Sequence, residues 1–499
     1  MTKFTNNTIF SNNFTKYYIL STLFIFLLSY IAETIILYDL NYLTLGPNEA
    51  SHLNVARSVF NGNPPYIQHF DARGPLIFYI LSICFFFKNF LLSFHLLYFF
   101  TTLISCFVCY KICENLYNKP AGLFAVLVSG FILSQSLTPE NFAFLFLSSF
   151  IYFSICKINN NKIIYPMLSG LFMSFAVLIR FNISLVAIFG CLFYLLQNKN
   201  RIRNLFAYVI SGFFPLIIIL YIYSRYENGL NIFFNATLIY HLGLTGGRPF
   251  YIGIYQLLEL LSTLPWVSLF IMSIFSFLFY KKLKKEKFFL LVFFIASIFA
   301  TLLARKYNLH YLLVSAPFLI VLSSSLIDIK ILKSKKLITL VFLISVVPLL
   351  INNLYLKVEN FYKPKNFSYF MSKLLSSHIK KEDEIFSSLN GIYLYMNKKN
   401  YLRLVDMSHF DRPYNYRSVY GDSTSFIDEF KNVLSVKPKF LVFDVFFKKS
   451  SIYQTAQELI KDNYQIYDFY DKNEINKYRR SYRDLLNTTS VYILKKNKD

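Results

Sequence analysis

The stretch that decides the fold covers residues 46–75 and reads GPNEASHLNVARSVF (46–60) followed by NGNPPYIQHFDARGP (61–75). Pro47 suits the first turn of a helix, because its fixed φ is already helical and no N–H is needed there. Glu49 and His52 are three residues apart and therefore share one face of this helix. An apolar stripe at helical spacing, predicted to face the membrane surface or a helix bundle, comprises Leu53, Ala56 and Phe60.

The composition of the whole chain indicates a membrane protein. Of its 499 residues, 55% are hydrophobic and only 16% are charged, whereas a soluble domain carries roughly 25% charged residues. This excludes a disordered chain, a disulfide scaffold and a coiled coil. The net charge of +24 is typical of Lys- and Arg-rich cytoplasmic loops, and no basic segment has the interleaved aromatics of a nucleic-acid-binding module.

Apolar runs of spanning length predict about eleven transmembrane helices. They cover approximately 17–38, 90–112, 121–137, 141–157, 163–180, 183–197, 204–225, 260–280, 287–304, 309–327 and 337–353. Clusters of Lys and Arg at 157–162, 199–203, 281–287 and 330–336 place these four loops in the cytoplasm by the positive-inside rule. The N-terminus is then cytoplasmic, and everything after about residue 353 is extracytoplasmic.

Residues 75–87 are apolar but too short to span, and a crossing here would move every Lys-rich loop to the outside. We therefore predict an interfacial helix within an outer loop that covers residues 39–88. The region 354–499 shifts to Lys, Asp, Asn and Ser, and its alternating elements predict a separate α/β domain. The predicted strands are 384–388, 440–444, 465–469 and 491–494, and the predicted helices are 369–379, 425–433 and 451–461.

The outer loop resembles the GT-C glycosyltransferases, whose pattern has an acidic residue opening an amphipathic helix after the first span, then Gly-x-Pro-Tyr, Asp and Gly-Pro-Leu. The bacterial relatives of protein O-mannosyltransferases and of the lipid A aminoarabinose transferase are the groups it is most similar to. Further points of resemblance are 138–140 (TPE), 178–180 (LIR), His310-Tyr311 and Pro317. The resemblance implies a polytopic α-helical GT-C-like membrane protein of residues 1–353 with a C-terminal extracytoplasmic α/β domain of residues 354–499.

One residue departs from the family pattern. Where the family usually has Asp-Glu, this chain has Asn48-Glu49, and an amide cannot accept a proton at neutral pH. Glu49 is therefore the first candidate for the catalytic carboxylate and Glu140 the second. The alternative for both is an acidic residue that caps the N-terminus of its own helix.

The resemblance implies that a sugar moves from a polyprenyl-phosphate carrier to a hydroxyl outside the cytoplasm, in a bacterial cytoplasmic membrane. The acceptor is then an envelope glycan, lipid or protein. Such a reaction needs a general base and a cation at the departing phosphate. The candidate cations are Arg180 and Arg248, with anchoring at the interface as their alternative role.

Asp71 and Arg73 are predicted to orient the substrate or to form a local ion pair. His52, Tyr66 and His310 complete the substrate-binding candidates, with an interfacial aromatic as the alternative for Tyr66. The histidines lack the spacing of a metal motif, and we expect no metal or other cofactor. Two other functions stay open: a transporter or flippase of a lipid-linked sugar, and a catalytically inactive binding protein.

Overall fold

The computed structural model describes residues 45, 47–134, 137–159, 162–196, 200–240, 264–279, 284–303, 309–327, 371–372, 375–376, 379–387, 390–398, 426–443, 458–460, 463–466 and 492–496. The chain divides into two compact units. The helical unit comprises Met1–Leu43, Leu92–Ile217 and Arg248–Leu356. The composite unit comprises Thr44–Leu91, Ile218–Gly247 and Lys357–Asp499.

The described part of the chain is mostly helical. Its α-helices before the C-terminal region are α1 (Pro47–Phe60), α2 (Pro75–Ser82), α3 (Phe90–Leu116), α4 (Lys119–Leu133), α5 (Glu140–Asn159), α6 (Ile164–Ile179), α7 (Ser184–Leu195), α8 (Arg201–Ser224), α9 (Gly229–Phe234), α10 (Leu264–Phe279), α11 (Lys284–Leu303) and α12 (Ala316–Ser324).

Local sequence explains where several of these helices begin. Pro47 and Pro75 stand at the first helical position, where a missing N–H costs nothing. Asn118 caps α4, since its side chain accepts a hydrogen bond from the Ala121 N–H at 2.9 Å. Helix α6 ends at Ile179, because the backbone of the next residue, Arg180, is extended with φ −141° and ψ 103°.

The helical unit packs through aromatic rings and through close approaches of backbone. Phe150, Phe289 and Phe293 lie together, with ring centroids 4.4–6.1 Å apart. Gly170 on α6 lies directly against α8, because a Cβ there would come within 2.0 Å of the Tyr208 carbonyl oxygen. Large apolar side chains on α8, including Phe206, Ile210 and Phe213, are exposed, as expected of a surface that faces lipid.

Two described helices, Phe90–Leu116 and Arg201–Ser224, are long and apolar enough to cross a bilayer. Other described helices cover the predicted spans from 121 to 327 but are shorter. The run at 309–327 is divided into a 3₁₀ segment (Leu309–Val314), α12 and a second 3₁₀ segment (Ser325–Ile327). The predicted spans 17–38 and 337–353 lie outside the described residues, so the total of eleven stays a prediction.

The C-terminal part of the composite unit contains a four-stranded sheet. Its strands are β1 (Ile385–Ser387), β2 (Phe440–Phe443), β3 (Tyr464–Ile466) and β4 (Tyr492–Lys496), in the spatial order β1-β2-β4-β3. Strands β1 and β2 are parallel, and β4 is antiparallel to both β2 and β3. Each strand overlaps its predicted position. The helices described here are α13 (Asn390–Tyr395), which the sequence did not predict, and α14 (Phe426–Ser435).

The division into units differs from the predicted boundary at residue 353. The C-terminal region groups with Thr44–Leu91 and Ile218–Gly247, which we had assigned to the membrane domain. The reason is direct packing of α13 against α1. The predicted interfacial segment is the helix α2 followed by a 3₁₀ turn, Ile83–Phe86. Most of the predicted helices 369–379 and 451–461 lies outside the described residues.

Candidate active site

Helix α1 carries Asn48, the residue at which the chain departs from the family pattern, and the neighbouring Glu49. Asn48 is exposed and Glu49 is half-buried, both in the first helical turn. The predicted apolar stripe is only partly buried, since Leu53 and Ala56 are inaccessible whereas Phe60 is 40% exposed. Phe60 instead contacts the ring of Phe86 at 4.9 Å between centroids, so the stripe ends on the 3₁₀ turn that follows α2.

Asp71 binds the second turn of α1 through Ser51 and His52. Its carboxylate lies 2.8 Å from Nδ1 of His52 and accepts a hydrogen bond from the Ser51 hydroxyl at 3.3 Å. All three side chains are buried. The sequence predicted that Asp71 lies beside Arg73. It did not predict the contacts of Asp71 with Ser51 and His52, which are 20 and 19 residues earlier in the chain.

The loop between α1 and α2 folds back on itself to bring Asp71 to the helix. Gly62 has φ +92° and Tyr66 has φ +69°, and the positive φ of a tyrosine is uncommon enough to need support. The support comes from the Tyr66 N–H, which donates to the His69 carbonyl at 2.9 Å, and from its hydroxyl, which donates to the Arg73 carbonyl. Tyr66 is 1% exposed. Tyr66 is therefore a buried packing residue and not an interfacial aromatic.

Residues 218–240 hold this loop from another side within the same unit. The Tyr223 hydroxyl donates to the Pro65 carbonyl at 2.6 Å, and the Tyr226 hydroxyl donates to the Gly62 carbonyl at 2.8 Å. The ring of Tyr240 meets that of Phe70 at 4.7 Å. The position of Asp71 is thus fixed by two separate segments of sequence.

The C-terminal region of the composite unit binds the chain just before α1 and the last turn of α1. The Leu45 N–H donates to the Tyr395 hydroxyl at 3.1 Å. The Arg57 guanidinium donates to the carbonyls of Tyr393 at 3.1 Å and Lys398 at 2.5 Å. Burial lowers the pKa of Arg57 to about 10, so this side chain remains charged at neutral pH.

The helical unit contains a second cluster of candidates. Arg180 forms a salt bridge to Glu140 and its guanidinium lies over the Tyr311 ring, 4.2 Å from the centroid. Glu140 is 0% and Arg180 8% exposed. The cluster arises because α5 begins at Glu140 and α6 ends just before Arg180, so that two consecutive packed helices bring these residues together.

The burial of Glu140 bears on its predicted role. Among the described residues, its Oε1 is engaged by Arg180 and its Oε2 has no hydrogen-bond partner. A carboxylate that is enclosed and already engaged by a guanidinium is less accessible to an acceptor hydroxyl than a carboxylate in a half-buried position. This environment favours Glu49 over Glu140 as the base.

Two predicted residues are not placed by the structure. Arg248 lies outside the described residues, and of His310 only the backbone is described, in the 3₁₀ segment Leu309–Val314. Its neighbour Tyr311, which the sequence did not select as a binding residue, is the ring beneath Arg180. Among the described residues, no group of three or more His, Cys, Asp or Glu side chains is arranged to hold a metal ion.

Comparison with solved structures identifies the architecture. The crystal structure of ArnT from Cupriavidus metallidurans in the apo state matches with a TM-score of 0.60 over 95% of this chain and 98% of that chain, at 10% sequence identity. The same protein bound to undecaprenyl phosphate matches with a TM-score of 0.60 over 94% and 97%, also at 10% identity. The chain has the GT-C fold.

Two further comparisons agree with this GT-C assignment. The apo oligosaccharyltransferase of Archaeoglobus fulgidus matches with a TM-score of 0.55 at 14% identity, over 89% of this chain and 71% of that chain. A family model described as dolichyl-phosphate-mannose-protein mannosyltransferase matches residues 72–223. No curated protein matches the chain in sequence. The fold and the family match over residues 72–223 thus confirm the predicted resemblance to the ArnT and O-mannosyltransferase groups.

Proposed function

We propose that this GT-C protein is an inverting glycosyltransferase that moves a sugar from a polyprenyl-phosphate carrier to an extracytoplasmic hydroxyl of an envelope glycan, lipid or protein. The fold and the family match support transfer from a lipid-linked donor. The ArnT structure with undecaprenyl phosphate supports a polyprenyl carrier. The observation that carries the proposal is Glu49, which is half-buried in the first turn of α1.

In the proposed reaction Glu49 removes the proton of the acceptor hydroxyl. The acceptor oxygen then forms a bond to the anomeric carbon of the sugar, and the bond between that carbon and the phosphate oxygen breaks. The polyprenyl phosphate leaves with both electrons of that bond, and a cation stabilises its developing charge. We assign this cation to Arg180, whose guanidinium is already oriented by Glu140 and Tyr311, and we assign sugar orientation to Asp71 and Arg73.

If Glu49 is the base, its carboxylate leaves the helix in a different direction from the carboxylate that the family usually has at position 48. One residue along a helix corresponds to a rotation of about 100°, so Glu49 leaves α1 in a different direction from an Asp at position 48. Its side chain is longer by one methylene, which compensates in part. Replacing Asn48 by Asp would restore the usual family carboxylate on the exposed side of the same turn.

The test is transfer by membranes supplied with a panel of radiolabelled polyprenyl-phosphate sugars. Glu49→Gln keeps the size and hydrogen bonding of the side chain but removes the proton acceptor, so we expect transfer to fall by roughly 10²-fold or more. Asn48→Asp should be tolerated or should raise turnover. Glu382→Gln, an exposed glutamate of the same unit, is the matched control and should leave the rate unchanged.

Three results would redirect the proposal. Normal transfer by Glu49→Gln together with loss of transfer by Glu140→Gln would move the base to the helical unit. Absence of transfer by the parent with every donor, at normal expression, would favour the inactive binding protein. Movement of intact lipid-linked sugar across vesicles without its transfer would favour the flippase.

A further inference from the structure

The C-terminal region contacts α1 at both ends of that helix. At the start, the backbone N–H of Leu45 donates to the Tyr395 hydroxyl at 3.1 Å. At the end, Arg57 in the last turn of α1 donates to two backbone carbonyls, those of Tyr393 and Lys398. All the acceptors lie within residues 393–398, so one short segment binds both the residue two positions before this 14-residue helix and the helix's last turn.

This short segment is itself firmly supported. The buried ammonium group of Lys398 donates to the carbonyls of Lys380, Lys381 and Asp383 at 2.6–2.9 Å. The Tyr393 hydroxyl accepts from the Ser387 N–H of β1 at 2.6 Å. The hydrogen bonds of Arg57 therefore end on carbonyls that are tied to the sheet and to the segment that precedes it.

Arg57 is unusual because its charge is partly buried without a salt bridge among the described contacts. Its described acceptors are the two backbone carbonyls and the Asn54 side-chain oxygen at 3.5 Å. A buried charge satisfied by neutral carbonyls makes strong hydrogen bonds that are costly to remove. A planar guanidinium can reach two carbonyls at once, which a lysine ammonium on this stem cannot do with the same geometry.

We propose that the C-terminal region acts as a clamp on α1, in which Arg57 and Tyr395 are positioning residues that fix the first turn bearing Glu49. This inference rests on the proposed function for its catalytic meaning. Asp71 holds the face of α1 that carries Ser51 and His52, and the clamp holds its two ends. Together these contacts fix the backbone of the turn that carries Glu49, which is the preorganisation that proton transfer requires.

The first experiment measures the clamp without any substrate, by amide hydrogen exchange of the full-length protein in detergent. We expect exchange in residues 47–60 to accelerate about tenfold in Arg57→Met and roughly two- to tenfold in Tyr395→Phe, since each variant removes hydrogen bonds to the helix ends. Exchange in α6, at 164–179, should stay as in the parent. The matched control is Tyr464→Phe, which removes a buried tyrosine hydroxyl that donates to the Pro438 carbonyl at 2.8 Å but contacts no residue of α1 in the described set.

The second experiment measures sugar transfer with the donor found active in the panel. A positioning role predicts a fall in kcat of about tenfold for Arg57→Met, with the KM for donor changed by no more than about twofold. Arg57→Lys should recover part of kcat. Tyr464→Phe should retain the parent values of both constants.

The outcomes separate the two proposals. Unchanged exchange in 47–60 for both Arg57→Met and Tyr395→Phe overturns the clamp, as does an equal acceleration in Tyr464→Phe. Faster exchange in α1 with an unchanged kcat confines the contacts to a structural role and overturns the positioning claim. If exchange in α1 is faster in Arg57→Met and Tyr395→Phe but the parent transfers no sugar, the clamp is supported and the proposed function is overturned.

Discussion

Glu140 and Arg180 are enclosed together, so removal of either one leaves the other as an isolated buried charge. Breaking such a pair costs about 3–5 kcal/mol of stability, whereas removing both partners often costs far less. The pair therefore allows its structural role to be separated from a role at the donor phosphate, which a single substitution cannot do.

We predict that Arg180→Ala and Glu140→Ala each lower the melting temperature in detergent markedly, and that the double variant recovers most of the loss. If Arg180 holds the carrier phosphate, the recovered double variant still binds undecaprenyl phosphate poorly. Arg180→Lys should bind with intermediate affinity, because it keeps the charge but loses the planar fork. Binding by the double variant at the parent affinity would remove Arg180 from the donor site.

The candidate residues show where sequence reasoning succeeds and where it stops. The Glu140–Arg180 contact was open to prediction, since one residue starts a helix and the other follows the end of the next helix. The contacts of Asp71 were not, because they depend on a loop reversed by positive φ angles at Gly62 and Tyr66. A glycine signals such a turn, but a tyrosine gives no such signal.

Helices α6 and α8 approach so closely that one of two neighbouring glycines can be changed and the other cannot. A Cβ on Gly170 would lie 2.0 Å from the Tyr208 carbonyl oxygen and 2.5 Å from the Ser211 hydroxyl. A Cβ on Gly212 would have its nearest neighbour, the Gly170 carbonyl oxygen, at 3.4 Å. Backbone atoms cannot move aside as a flexible side chain can. Of these two positions, only Gly170 therefore lacks room for a Cβ.

We predict that Gly170→Ala destabilises the protein by about 1–3 kcal/mol, the usual cost of overpacking. Gly212→Ala should stay within about 1 kcal/mol of the parent, since alanine favours the helix more than glycine does. Thermal unfolding in detergent compares the two variants directly. Equal melting temperatures for both would show that α6 and α8 do not meet at Gly170.

At the C-terminal sheet, the pKa of Asp383 depends on opposing effects. Burial raises it, but hydrogen bonds from the Lys439 side chain at 2.6 Å and the Lys380 N–H at 2.8 Å outweigh burial and leave the pKa below its usual value. A carboxyl whose pKa is lower in the folded state stabilises the fold above its unfolded pKa of about 3.9. That contribution is lost as the pH falls through the folded value.

We therefore expect acid to weaken the segment 379–387 selectively. Hydrogen exchange in this segment, corrected for the intrinsic pH dependence of exchange, should rise as the pH is lowered from 5 to 3 in the parent. In Asp383→Asn it should already be raised at pH 5 and should change less on acidification. The same response in parent and variant would assign the acid sensitivity to another group.

Element positions were predictable from sequence to different degrees in the two units. Long apolar runs placed α3 to α8 within a few residues of their observed bounds, since lipid or core burial imposes a continuous apolar length. In the sheet the strand positions were found, but α13 was missed because six residues of NGIYLY carry too short a pattern. This short helix packs against α1. No local sequence pattern encodes that contact, because the two helices are more than three hundred residues apart in the chain.

For the whole molecule, the loops in which Lys and Arg cluster set the expected orientation. We predict that a reporter fused after Lys285 lies in the cytoplasm and that one fused after Asp499 lies outside. The reason is the clustering of basic residues at 281–287, which resists translocation. Reports from the same side for both fusions would show that the predicted number of spans between them is wrong by an odd number.

The partners of Arg57 lie 336 and 341 residues further along the chain. At a synthesis rate of about 5–20 residues per second, the ribosome needs roughly 20–70 seconds to make that intervening chain. During this interval α1 has been synthesised, but the segment 393–398 that binds Arg57 has not. A chain that terminates before residue 393 would insert its helices into the membrane without the two carbonyls that bind Arg57.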